Sequence, residues 1–80
     1  MTNEELNTAL YKKMFAEQEK FKGWLLTQPP EKILEHSYEY TVREDFLLSL
    51  EYNDLTNSQA AALLASPTPL DDLFHQYEKM

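Results

Sequence analysis

Gly23-Trp24-Leu25-Leu26-Thr27-Gln28-Pro29-Pro30-Glu31 is the stretch on which the fold turns. Two adjacent prolines remove two backbone donors and restrict Gln28, so a helix arriving from the N-terminal side must end before them. Pro30 is then suited to the first position of a new helix, where no donor is needed. Upstream, Thr2-Asn3-Glu4-Glu5 has the spacing of a capping box, with Glu5 reaching back to the Thr2 amide. Leu6, Leu10, Met14, Phe21, Trp24 and Leu25 recur at threes and fours, with Glu17 interrupting, which predicts a first helix over residues 3–26. Gly23 is its weak point, a place to bend or end, because glycine costs a helix interior about 1 kcal/mol relative to alanine.

Downstream, residues 30–52 contain no breaker after Pro30 and predict a second helix. Its apolar row Leu34, Tyr38, Val42, Phe46 and Leu50 repeats every four residues and so drifts about 40° per step. Either other helices wrap this one, or it breaks near Arg43-Glu44-Asp45. Thr56-Asn57-Ser58-Gln59 repeats the capping-box spacing, with Leu55 and Ala60 placed as a hydrophobic staple, and opens a third helix over 57–65. Ser66-Pro67 ends it. Thr68 is placed to cap a fourth helix over 69–79, whose Leu70, Leu73, Phe74 and Tyr77 form an i, i+3, i+4, i+7 stripe. Trp24-Leu25-Leu26 and Phe46-Leu47-Leu48 are expected in the core. A single glycine in eighty residues leaves little material for a turn-rich β fold. The expectation is one domain over residues 1–80, all-α, a compact bundle of about four helices.

Composition narrows the function. With 42% apolar and 26% charged residues the chain should fold, and its length allows one small core without a large cleft. No cysteine is present, the N-terminus is acidic, and the longest apolar run is only Ala60 to Ala65. These features predict a cytoplasmic protein with no disulfide, no secretion signal and no membrane span. Residues 1–30 hold four acids and four bases, whereas residues 31–80 hold ten acids against Lys32, Arg43 and Lys79, so the net charge of −7 lies wholly in the second part. Such a surface disfavours direct nucleic-acid binding, which Lys and Arg drive, and favours a cationic partner.

Several constellations could carry chemistry. Residues 55–77 have the outline of a helix-turn-helix, but the second helix would offer Asp71, Asp72, His75, Gln76 and Glu78 where DNA reading needs donors and cations. Asp71 and Asp72 suit the positive end of a helix dipole instead. His36-Ser37-Tyr38-Glu39 and Asp72-Leu73-Phe74-His75 each put an imidazole and a carboxylate on one helix face, too little for a metal site without further carboxylates. No serine sits in a nucleophile elbow and Gly23 alone cannot build a phosphate loop, so no catalytic residue, cofactor or metal is expected and the chain does not read as an enzyme. Glu31, Glu35 and Glu39 form an i, i+4, i+8 row, flanked by Lys32 and Arg43. With Glu44, Asp45, Glu51 and Asp54 they are the candidate partner-binding acids. Tyr38 and Tyr40 stand about 200° apart on a helix, so one of them is exposed, and Tyr40 joins the candidate set as an interface anchor.

Four stretches carry a resemblance: Lys13 to Lys20 (KMFAEQEK), Trp24 to Glu31 (WLLTQPPE), Tyr38 to Asp45 (YEYTVRED) and Ala62 to Leu70 (ALLASPTPL). Over nearly its whole length the chain resembles a small domain family of unknown function found in conjugative elements and prophages of Gram-positive gut bacteria. The resemblance transfers no site residue. It implies residence in a mobile element, where small acidic proteins occupy host proteins. The resulting expectation is a protein-binding module acting in counter-defence, its carboxylates filling the cationic groove of a restriction or CRISPR nuclease. The alternative expectation is an accessory module that closes a homodimer through Leu70, Leu73, Phe74 and Tyr77 or through Trp24.

Overall fold

A computed structural model describes residues 2–79, which form four α-helices and no strand: α1 (Asn3–Leu25), α2 (Pro30–Tyr52), α3 (Asn57–Ala65) and α4 (Pro69–Glu78). Both capping boxes form. The Thr2 hydroxyl accepts from the Glu5 amide at 3.1 Å while the Glu5 carboxylate accepts from the Thr2 amide at 3.0 Å. Thr56 and Gln59 do the same at the start of α3. α1 continues through Gly23 to Leu25, and α2 passes through Arg43-Glu44-Asp45 unbroken. At the double proline one helix ends and the next begins as expected: the Trp24 and Leu25 carbonyls accept from the Thr27 and Gln28 amides, and the Pro29 carbonyl accepts from the Lys32 and Ile33 amides.

α1 packs on all three other helices, α4 packs on α1, α2 and α3, and the backbones of α2 and α3 stay apart. The core is a cluster of Leu6, Leu10 and Met14 from α1, Leu47 from α2, Ala60 from α3 and Leu70 from α4. Leu55 and Leu63 close over it near the start and end of α3. The drift of the α2 row is visible in its burial. Leu34 and Tyr38 face outward, 74% and 55% exposed, Val42 is buried, and Phe46 and Leu50 are half-buried. α1 and α4 therefore wrap the C-terminal part of the row and leave its beginning largely exposed, with the Tyr38 ring edge-on to Phe74 at 6.3 Å.

Three expectations need correction. Of the two apolar triplets only Leu25 and Leu47 are buried, whereas Trp24, Leu26 and Leu48 are exposed. Successive helical residues are about 100° apart, so three in a row cannot share one face. The stripe of α4 serves its own core: Leu70 and Phe74 are buried and Leu73 is half-buried, leaving only Tyr77 on the surface. Finally, the Thr68 side chain makes no cap hydrogen bond. The cap of α4 comes from Glu17, whose carboxylate accepts from the Leu70 amide at 2.8 Å and the Asp71 amide at 3.0 Å. The residue that interrupts the apolar pattern of α1 thus satisfies the two donors an N-cap normally satisfies.

Candidate functional site: the acidic faces of α2

α2 holds six of the candidate acids, and its geometry decides how they can act together. A helix of 23 residues places Glu31 and Glu51 about 30 Å apart along the axis. Around the axis, Glu31, Glu35 and Glu39 fall within an arc of about 80°, while Glu44 and Glu51 lie about 180° and 160° away from Glu35. Asp45 lies about 80° from Glu35 on the other side. The acids therefore occupy two faces of α2 with Asp45 between them on the outer side.

Neutralisation divides them further. Arg43 is 5% exposed and sits at the junction of three helices. One of its terminal nitrogens lies 2.7 Å from Glu39 and 2.7 Å from Asp71, and the other is 3.7 Å from Glu17. Its guanidinium also stacks over Phe21, 4.4 Å from the ring centroid. Fork geometry and a planar face suit arginine to this place. Glu39, which also faces His36 at 3.4 Å, is thus held within the fold. Glu35 pairs with Lys32 at 3.4 Å in the open. Glu44 accepts from the buried Gln18 amide group at 3.1 Å, and Glu51 accepts from the Tyr11 hydroxyl at 2.7 Å. Among the described residues Glu31, Asp45 and Asp54 take part in no ion pair, and all three are exposed.

Tyr40 is half-buried against Phe21, and burial followed by the Glu44 charge pushes its phenol above the ordinary value. Tyr38 is the exposed one of the pair. The Asp72 and His75 spacing does not bring those two together: His75 turns to Asp71 at 3.3 Å, while the Asp72 carboxylate takes the Ser66 hydroxyl. Among the described residues no three metal-binding side chains converge, and no helix is long and apolar enough to cross a membrane.

An open depression of about 460 Å³, lined by Phe46, Leu50, Leu55, Leu63 and Leu73, runs between α2, α3 and α4. None of the candidate acids lines it. The feature that pattern reading missed is the outward face of α2. Leu34, Tyr38, Leu48 and Tyr52 are all at least half exposed, and Thr41 and Asp45 lie between them. The signal was present as a spacing of 4, 3, 4, 3, 4 from Leu34 to Tyr52, hidden because Leu34 and Tyr38 also fit the four-residue row.

A family described as "Protein of unknown function (DUF3848)" matches residues 6–80. The chain belongs to this family. The match spans all of α2, α3 and α4 and all of α1 from the Leu6 core position onward. Comparison with curated proteins and with solved structures finds no match. The DUF3848 description assigns no activity, so every role given to a residue here rests on geometry and charge.

Proposed function

We propose that this chain is a non-enzymatic, cytoplasmic protein-binding module whose acidic α2 surface engages a cationic partner. The observation that supports this most is how the bases are used. Arg43 lies inside the bundle, Lys13 donates to the Leu64 carbonyl, and Lys32 pairs locally with Glu35, so the acids beyond the double proline outnumber the cations that could answer them. An outer surface of that sign attracts positive surfaces and repels phosphate backbones.

The finer reading is counter-defence. The resemblance read from the sequence implies residence in a mobile element, and on that reading the partner is a host nuclease, of the restriction or CRISPR kind, with carboxylates standing where nucleic-acid phosphates would lie. Affinity capture from a host lysate at about 0.05 M and about 0.5 M salt tests the charge mechanism, since the Debye length shrinks severalfold between them. A partner retained at low salt and released at high salt is the expected result. Equal retention at both would mean that charge does not carry the binding.

A further inference from the structure

We infer that the outward face of α2 is a docking seam for a cationic amphipathic helix of the partner protein, an inference that rests on the protein-binding reading above. Leu34, Tyr38, Thr41, Asp45, Leu48 and Tyr52 follow one another at 4, 3, 4, 3 and 4 residues. That is the repeat by which one helix presents a straight seam to another. Leu34 and Tyr52 are eighteen residues apart, about five full turns, so they stand at the same angle at the two ends of a seam about 27 Å long. Most of it is open: Leu34 is 74% exposed, Tyr38 55%, Leu48 50% and Tyr52 81%, and Thr41 and Asp45 are exposed between them, with only the Tyr38 ring resting edge-on against Phe74 of α4 at 6.3 Å. α1 packs on the other side of α2, where Arg43 and Leu47 are buried, and α4 lies along one border of the seam, beside Val42 and Tyr38.

Charge selects the occupant. Two apolar ends flank a centre that carries Asp45, and the seam is bordered by Glu31, Glu35, Glu44 and Glu51 with Lys32 as the cation of α2 outside the core. A second copy of this chain would bring Asp45 and the same glutamates against themselves, on a molecule of net charge −7. Like charges facing across an interface oppose pairing. A helix with leucine-like residues at seam positions and Lys or Arg at its middle and borders meets both the apolar ends and the acidic centre, the helix-on-helix mode of recognition.

The probe is a synthetic peptide of about 21 residues, six helical turns, with leucines at alternating three- and four-residue spacing and lysines elsewhere. Its control has the same composition with the leucines shuffled off one face. Fluorescence anisotropy against the full chain should give micromolar binding for the ordered peptide and at least about tenfold weaker binding for the control, a difference of about 1.4 kcal/mol. The double variant Leu34→Ser/Leu48→Ser and the single variant Asp45→Lys, whose altered side chains are already exposed, should each weaken the ordered peptide about tenfold. Equal binding of the two peptides, or unaltered binding by the variants, overturns the seam while leaving a diffuse acidic surface standing. Failure of both peptides to bind at low salt overturns the seam and the cationic-partner reading together. A sedimentation dimer that Leu34→Ser/Leu48→Ser converts to monomer would show the seam filled by a second copy and would overturn this assignment.

Discussion

Lys13 and Glu17 stand one turn apart on α1 and hold opposite sides of the same turn. The Lys13 amine donates to the Leu64 carbonyl at 2.8 Å, at the end of α3, and the Glu17 carboxylate accepts the Leu70 and Asp71 amides at the start of α4. A cation thus meets the carbonyl end of one helix and an anion the amide end of the next, each matching the helix dipole. Glu17→Ala should cost about 1 to 2 kcal/mol, as loss of an N-cap does, and Lys13→Ala less, about 0.5 kcal/mol. Denaturant unfolding checks the order. Glu17→Gln, which keeps an acceptor without charge, should fall between wild type and Glu17→Ala.

Arg43 ties α1, α2 and α4 through Glu17, Glu39 and Asp71. Removing a buried charge while leaving its partners behind costs about 3 kcal/mol or more. Arg43→Leu should therefore lower Tm by roughly 12 to 24 °C for a domain of this size. Arg43→Lys restores the charge but not the planar fork and should recover only part of the loss. Calorimetry on the two variants measures it.

Asn7 is 5% exposed and acts as a piece of strand edge: its amide nitrogen donates to the Leu55 carbonyl at 3.1 Å and its oxygen accepts from the Leu55 amide at 2.9 Å. Asn7→Leu would strand both backbone groups, at about 1 to 3 kcal/mol each when they stay buried. Asn7→Asp keeps the acceptor and loses the donor. Hydrogen exchange should show faster exchange of the Leu55 amide in Asn7→Leu than in Asn7→Asp.

Gly23 lies inside α1, is exposed, and leaves open space where a Cβ would sit. Gly23→Ala should stabilise the chain by about 0.5 to 1 kcal/mol. A rise in Tm of about 4 °C by circular dichroism would match.

Hydrogen bonding from the Thr2 amide, then from its hydroxyl, holds the Glu5 carboxyl below its ordinary 4.5. A lowered folded-state value gives a contribution present above pH 4.5 and lost as pH falls through that lower value. The Tyr11 phenol is raised above 10.0 by its hydrogen bond to Glu51. Its contribution is complete below pH 10 and lost as pH rises through the raised value. The stability difference between wild type and Tyr11→Phe, measured by urea unfolding, should thus hold constant up to about pH 10 and shrink above it.

Helix boundaries were legible because they depend on local chemistry. Pro29-Pro30 and the two capping boxes act within three or four residues, and the four helices begin at residues 3, 30, 57 and 69, as the sequence predicts. Roles that depend on distant partners were not legible. Glu17 caps a helix 53 residues later, and Asn7 pins a loop 48 residues later, so neither could be read from its own surroundings. Arg43 looked like a flank to the acidic row and is instead the buried cation that takes up Glu39. The acidic second half was visible as composition. Its division into two faces of α2 depends on the angle of each residue around that helix and on which side α1 and α4 cover.

Side-by-side capture from one host lysate, with wild type and with Glu31→Gln/Glu35→Gln/Asp45→Asn as baits, tests the central proposal most directly. All three side chains are exposed, so the variant keeps its fold. A partner held by wild type at low salt and missing from the neutralised chain is the outcome predicted. The same partner recovered equally on both baits would contradict an acidic α2 surface as the means of binding.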